Sequence, residues 1–318
     1  MSEEYYRAPP IPGYFIWRKL HSLMGIWLVL FLIEHLFTNS QAALYIGENG
    51  KGFVRAVDWL KNLPYLQVIE ITLLAIPFLI HGLLGVRYLF TARYNHYPTD
   101  GAAPALTSHK RNHAYAWQRI TSWVLLIGIV AHVVQMRFIN YPAAAQTSGK
   151  TDYMLPVTWD KGLVTLKHRL DFKFYDQSMI ESMEQTVTKA ITTLKLSAPS
   201  AILKQTIDEK QKWLKALRSH FVEKDQVLII TPSFGTAELL MVRDTFKSPL
   251  MMILYTALVL AASFHAFNGL WTAMISWGVT LTVASQNLMR SLTTGLMALI
   301  TLLGLAAIWG TYWFNLYR

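Results

Sequence analysis

Four of the ten histidines in this chain, His35, His81, His132 and His265, stand inside long apolar runs. One has a second titratable neighbour, because the stretch FLIEHLF places Glu34 beside His35. A polar side chain within a membrane-length apolar run is costly and is a functional candidate by default. Neutral imidazole is the commonest biological metal ligand, and helix bundles build cofactor sites from side chains on facing helices. Any single histidine of this kind could instead hydrogen-bond a neighbouring helix. Four singletons, one in each of four successive runs, point to ligation of metal by pairs.

Depth decides how they pair. With a helical rise of about 1.5 Å per residue, His35, 17 residues beyond Arg18, lies roughly 25 Å into the first run. His132 lies 13 residues past Arg119 and five before Arg137, about 8 Å from the same far boundary. The second and fourth runs go the other way. His81 is 16 residues past Tyr65 and His265 is 16 past Pro249, each roughly 24 Å from the outer edge. The arithmetic gives an outer layer of His35 with His132 and an inner layer of His81 with His265, the arrangement of two b-type haems carrying electrons through a bilayer. Glycines fit this geometry: Gly85 and Gly269 follow His81 and His265 by four residues, and Gly128 precedes His132 by four, on the same helix faces. Packing of helices through small residues explains the same glycines equally well. His21 sits at the boundary of the first run and reads as an interfacial hydrogen-bonding residue. His96, His109, His113, His168 and His220 fall in connections, where a solvated role is the default.

The elements that must carry these side chains are apolar blocks at 22–44, 66–92, 118–138, 249–275 and 290–314, each long enough to cross a hydrocarbon core of about 30 Å. The 318-residue chain is 53% hydrophobic and 13% aromatic, which fits a polytopic membrane protein better than a soluble domain. The start RAPPIPGYFIWRK is followed by no small-residue cleavage site, so the first block reads as a retained span. The net charge of +10 is scattered among flanks and one long connection, without the dense basic stripe of a nucleic-acid binder, so no nucleic-acid partner is expected. Zero cysteines exclude disulfides, thiolate zinc sites, cysteine-ligated iron–sulfur clusters and a covalently attached c-type haem. Lys and Arg favour cytoplasmic flanks, and Arg7, Arg18, Lys19, Arg93, Lys110, Arg111 and Arg290 share one side if the N-terminus is cytoplasmic. Lys51, Arg55 and Lys61 in the opposite short connection run against that assignment.

Residues 139–247 are too many and too polar for a turn. Within them, 177–222 predicts two amphipathic helices broken at Ser197-Ala198-Pro199, and QVLIIT at 226–231 predicts a strand. The expectation is an all-α integral membrane protein with five transmembrane helices, the first four forming a dihaem bundle. A mixed, mostly helical extramembrane insert lies between helices 3 and 4, so that the domains run 1–138, 139–247 and 248–318. A non-redox alternative is a transporter, or a sensor with the insert as its extracytoplasmic receptor domain.

The stretches RKLHSLMG, FLIEHLFTN, IEITLLAIPFLIHGLLGVRYLFTAR, QRITSWVLLIGIVAHVVQMR and FHAFNGLWTAMISWGVTLTVASQ resemble the single-chain, five-helix, dihaem cytochrome b membrane anchor of succinate:quinone oxidoreductase, that is, succinate dehydrogenase or fumarate reductase. The likeness covers about 14–138 and 248–316, and RKLHSLMG and HAFNGLW are its most specific pieces. It implies two haem b groups on the same histidine pairs, with Ser22, Arg87, Gln118 and Arg119 contacting haem propionates. It also implies a flavoprotein subunit and an iron–sulfur subunit as partners, a membrane quinone, of menaquinone type in this class, as substrate, and the bacterial cytoplasmic membrane as location. Quinone chemistry couples electrons to protons, and Glu34 and Glu70 are the span-borne candidates for proton transfer. The large insert departs from the compact members of that family.

Overall fold

The computed structural model describes residues 11–44, 51–91, 108, 110–147, 149–195, 201–220 and 222–317. Five helices are long and apolar enough to cross a membrane: α1 (Gly13–Leu44), α3 (Leu66–Thr91), α4 (Arg111–Ile139), α9 (Pro249–Ser276) and α10 (Val283–Tyr317). The protein itself buries only 0–28% of the most apolar stretch of each, so lipid must supply the rest of their apolar surroundings. These are the five expected spans, and the fold is that of an all-α multi-pass membrane protein. The helices begin earlier than the apolar blocks at α1, α4 and α10, because polar first turns continue the helix beyond the hydrocarbon-matched segment. Two spans contain a π-helical stretch, Ile71–Ala75 in α3 and Val134–Ile139 in α4.

The chain divides into two compact units. The first draws its described residues from Met1–Glu34, Gln67–Ile127 and Leu260–Thr301. In it, α9 ends with the Val279 N–H on the Met274 carbonyl (2.9 Å) and Gly278 at φ +75°, a left-handed closure that favours glycine. Thr282 and Ser285 then cap α10 reciprocally, each side chain accepting from the other's N–H at 3.1 Å. This tight join sets α10 beside α9, where the Trp271 indole donates to the Gln286 carbonyl at 3.2 Å.

The second unit draws on His35–Leu66, Gly128–Val259 and Leu302–Arg318. Its sheet has the order β1-β2-β4-β3 and is antiparallel throughout, with β1 Ala143–Thr147, β2 Lys150–Thr158, β3 Lys173–Tyr175 and β4 Gln226–Thr231. Both faces are covered, which is why β4 is almost continuously apolar. Met154, Leu228 and Ile230 pack on one face with Ile180 and Ile191 of α6 (Gln177–Lys195) and Leu214 and Leu217 of α7 (Ala201–Arg218). Leu155, Val157 and Ile229 pack on the other with α5 (Gly162–Leu170), α8 (Phe234–Thr245) and Phe53 of α2 (Lys51–Lys61). The two amphipathic helices and the strand at 226–231 lie where the sequence predicts them, while the break at 197–199 falls outside the described residues.

The sheet has three strands that the sequence reading did not predict, and α2 occupies what read as a bare connection at 45–65. That helix docks on the start of α8. Asp58 accepts from the Ser233 hydroxyl at 2.8 Å and the Gly235 N–H at 2.7 Å, and a Cβ on Gly235 would lie 2.4 Å from the Val54 carbonyl oxygen. Two carboxyls in this unit meet opposite fates. Burial works against ionisation of Asp160, but its two 2.7 Å bonds from Arg243, which is 1% exposed, and its Lys247 partner outweigh it and hold the carboxyl at about 2. Burial pushes Glu238 up to about 7, against the pull of Arg137 and Lys61.

Candidate metal centres

Each unit brings together one histidine pair. In the first, the His81 and His265 rings have centroids 6.1 Å apart and planes at 85°. In the second, His35 and His132 have centroids 5.9 Å apart and planes at 76°. A metal–imidazole bond is about 2.0–2.1 Å, with the ring centroid roughly 1 Å beyond the nitrogen, so two imidazoles on opposite sides of one ion lie about 6 Å apart. Both pairs have that spacing.

The other ring nitrogen decides whether a lone pair is free for the metal. A carbonyl oxygen can only accept, so a ring nitrogen facing one must carry the proton. His81 Nδ1–H donates to the His21 carbonyl (3.0 Å) and His265 Nδ1–H to the Gln118 carbonyl (3.2 Å), with the Thr121 and Ser122 hydroxyls each at 3.4 Å from the same His265 nitrogen. His132 Nδ1 faces the Tyr255 hydroxyl at 3.2 Å. That hydroxyl spends its proton on Gln135 Oε1 (3.0 Å) and so accepts from the ring. All three histidines are thereby held as the Nδ1–H tautomer, leaving the Nε2 lone pair available to a metal.

The surroundings of the first pair fit a flat macrocycle. The His21 ring stacks on His81 at 4.0 Å and 10°, far closer to the pair than an interfacial residue needs to be. Gly25, the last residue of RKLHSLMG, lets His81 approach the α1 backbone, since a Cβ there would lie 2.9 Å from His81 Cε1. His21 Nδ1 is buried without a hydrogen-bond partner among the described residues. No group of three or more His, Asp or Glu side chains is placed to hold one metal ion together among the described residues. A two-donor pair suits an ion whose other positions a macrocycle fills, and haem b is such a group.

Of the glycines singled out in the sequence, Gly85 adjoins His21 and Gly269 adjoins the Gln118 amide, while Gly128 receives Leu258 of α9, an ordinary packing role. Ser22 accepts from the Trp277 indole at 3.0 Å. Gln118 is engaged at both ends, donating to the His265 carbonyl (2.9 Å) and accepting from Asn268 (2.7 Å). The Arg119 guanidinium lies over the Tyr115 ring and bonds its hydroxyl, and Arg87 is exposed. Glu34 lies on an exposed face of α1, and Glu70 is half-buried in α3. Tyr255, Gln135, Asn268 and Gly25 escaped the sequence reading. The signal for Tyr255 was a phenol ten residues before His265, at the end of the span that His132 approaches.

Fold and site together define a multi-pass membrane protein whose apolar spans bring together two histidine pairs, each at the spacing of two imidazoles on one ion. The chain is 23% identical over 295 residues to the "Succinate dehydrogenase cytochrome b558 subunit" of Bacillus subtilis (strain 168), covering 92% of this chain and 95% of that protein. The resemblance read from RKLHSLMG and HAFNGLW, to the cytochrome b anchor subunit of succinate dehydrogenase, is borne out by this relative. No protein-family model and no solved structure matches the chain.

Proposed function

We propose that this chain is the cytochrome b membrane anchor of a succinate dehydrogenase or fumarate reductase, holding two b-type haems on His81 with His265 and on His35 with His132. The observation that carries the reading is the ring geometry: two pairs at 6.1 and 5.9 Å, three of the four imidazoles turned so that Nε2 is free. It favours this reading over a transporter or sensor, which needs no paired imidazoles. When bound, each haem supplies a one-electron carrier between a flavoprotein and iron–sulfur pair on the cytoplasmic side and a membrane quinone, for which menaquinone is the proposed type. The chain's own residues bind and orient: the His21 and Gln118 carbonyls and the Tyr255 hydroxyl fix the ligand tautomers, and the apolar spans exclude water. With two imidazoles held by each haem's iron, no position would remain open to oxygen, which would suit electron transfer rather than oxygen binding. Ser22, Gln118, Arg87 and Arg119 are the proposed propionate contacts, a guanidinium being well matched to a carboxylate. Glu70 and Glu34 remain the proposed proton carriers. The depth arithmetic and the flanking Lys and Arg residues support an N-terminus in the cytoplasm of a bacterium, with the His81 pair as the inner layer.

The test is a dithionite-reduced minus oxidised spectrum of the purified chain, with haem and protein quantified. The expected result is two b-type haems per chain, and one after His81→Ala or His265→Ala. A ratio below two in the unaltered chain, or no loss in either variant, overturns the proposal.

A further inference from the structure

We propose that the first unit carries a binding site for one anionic phospholipid, in a cavity of about 200 Å³ between α4, α9 and α10. Its walls are chiefly apolar, with Phe264, Trp271 and Met297 among them, and Arg111 and Arg290 stand on its rim. The hydroxyls of Thr293 and Thr294, also in its lining, are spent on their own helix's carbonyls and offer no binding donor. Arg111 rests over the Trp271 ring at 5.5 Å and touches the neutral Gln286 at 3.5 Å, and among the described residues neither guanidinium meets a carboxylate. Both arginines are exposed, and no acidic residue lines the cavity among the described residues. Two guanidiniums that no described carboxylate neutralises, over an apolar slot between membrane spans, match a molecule with an anionic phosphate and acyl chains. Basic pockets between spans bind such headgroups, and a planar guanidinium grips phosphate in two-pronged fashion.

The site is wired to the histidine pair. Asn268, in the cavity lining, donates to Gln118, whose own amide donates to the His265 carbonyl. An acyl chain or headgroup seated there presses on a relay that ends at a proposed haem ligand. Lipid binding itself does not depend on the haem assignment, so the two can fail separately.

The experiment uses the full chain, delipidated in mild detergent and exchanged with dioleoyl-phosphatidylglycerol or dioleoyl-phosphatidylcholine. Native mass spectrometry counts the retained lipids. One phosphatidylglycerol per chain is expected, resisting competition by inorganic phosphate and held well above phosphatidylcholine. With each guanidinium contributing about a fivefold gain, the Arg111→Gln/Arg290→Gln double variant retains it roughly 30-fold less well. An Arg111→Lys/Arg290→Lys double variant keeps the charge and recovers most of the retention, and matched circular dichroism of all three chains excludes misfolding. Equal retention of the two lipids, or undiminished phosphatidylglycerol on the Gln variant, overturns the proposal. The latter result would leave the arginines for an acidic protein partner.

Discussion

In the first unit, Nδ1 of both His81 and His265 faces a main-chain carbonyl, whereas in the second His132 leans on the Tyr255 hydroxyl, a side chain steadied by Gln135. The ring spacings are nearly equal, so the difference lies in the support. A carbonyl within a helix moves only if the helix moves, and no substitution removes it. A phenol can be deleted by one mutation, and its oxygen can also donate. The first pair is thus fixed by backbone and by the stacked His21, and the second is tunable through side chains.

The comparison breaks most completely at the proposed haem ligands. His265→Ala should abolish one haem and leave the second unit's intact, and His132→Ala the reverse, both read as haem per chain with the surviving spectrum. Next comes the tunable support. Tyr255→Phe removes the partner of His132 and should weaken haem retention in the second unit alone, roughly 10–100-fold as for other outer partners of metal-bound histidines, measured by haem loss to an apo-globin acceptor. If both haems weaken equally, the two supports are not independent. A smaller effect is expected from Gly25→Ala, whose Cβ would lie 2.9 Å from His81 Cε1. Overpacking of this kind costs about 1–3 kcal/mol, and it should shift only the first unit's haem band.

The smallest effect separates two carboxyls of the second unit. The folded state holds Glu238 at about 7, above the ordinary carboxyl value of 4.5, so its contribution to stability is full below pH 4.5 and is lost as pH rises through 7. Glu238→Gln should therefore raise the thermal midpoint at pH 8 and leave it unchanged at pH 4. Asp160 has the opposite sign. Its value of about 2 lies below the ordinary 3.8, so its stabilisation is present above pH 3.8 and disappears as pH falls through 2. Asp160→Asn should destabilise at pH 7 and converge on the parent near pH 2. A Glu238→Gln chain that gains as much at pH 4 as at pH 8 contradicts the burial argument.

The five spans and the pairing of His81 with His265 and His35 with His132 were legible because lipid imposes two simple rules: apolar length sets the element, and rise per residue sets depth. The insert obeys neither rule. The first strand is AAAQT, whose alanines have little intrinsic preference for a sheet. The second carries Pro156, which argues against a central strand. Yet β1 pairs only with residues 150–154 of β2, so Pro156 lies where one side of the strand is free and its missing N–H costs no ladder bond. At the site, the supports of the ligands were hidden for a different reason. The His21 and Gln118 carbonyls are present in every residue type, so no pattern of side chains announces them, and Gly25 reads as routine packing until the ring against it is seen.

The π-helical stretches have a consequence in insertions and deletions. Each holds its turn with a bond reaching five residues back, Ile76 N–H to Ile71 and Asn140 N–H to Gln135, and so stores one supernumerary residue. The wider turn already takes up the roughly 100° that an added residue would otherwise introduce, so deleting one residue there would restore an ordinary helix with both sides facing as before. A deletion in the regular turns between Ile76 and His81 would instead swing the histidine by about 100° away from the first unit's pair. Both spans are buffered against a change of length at their π-helical stretches, and not in the turns that follow.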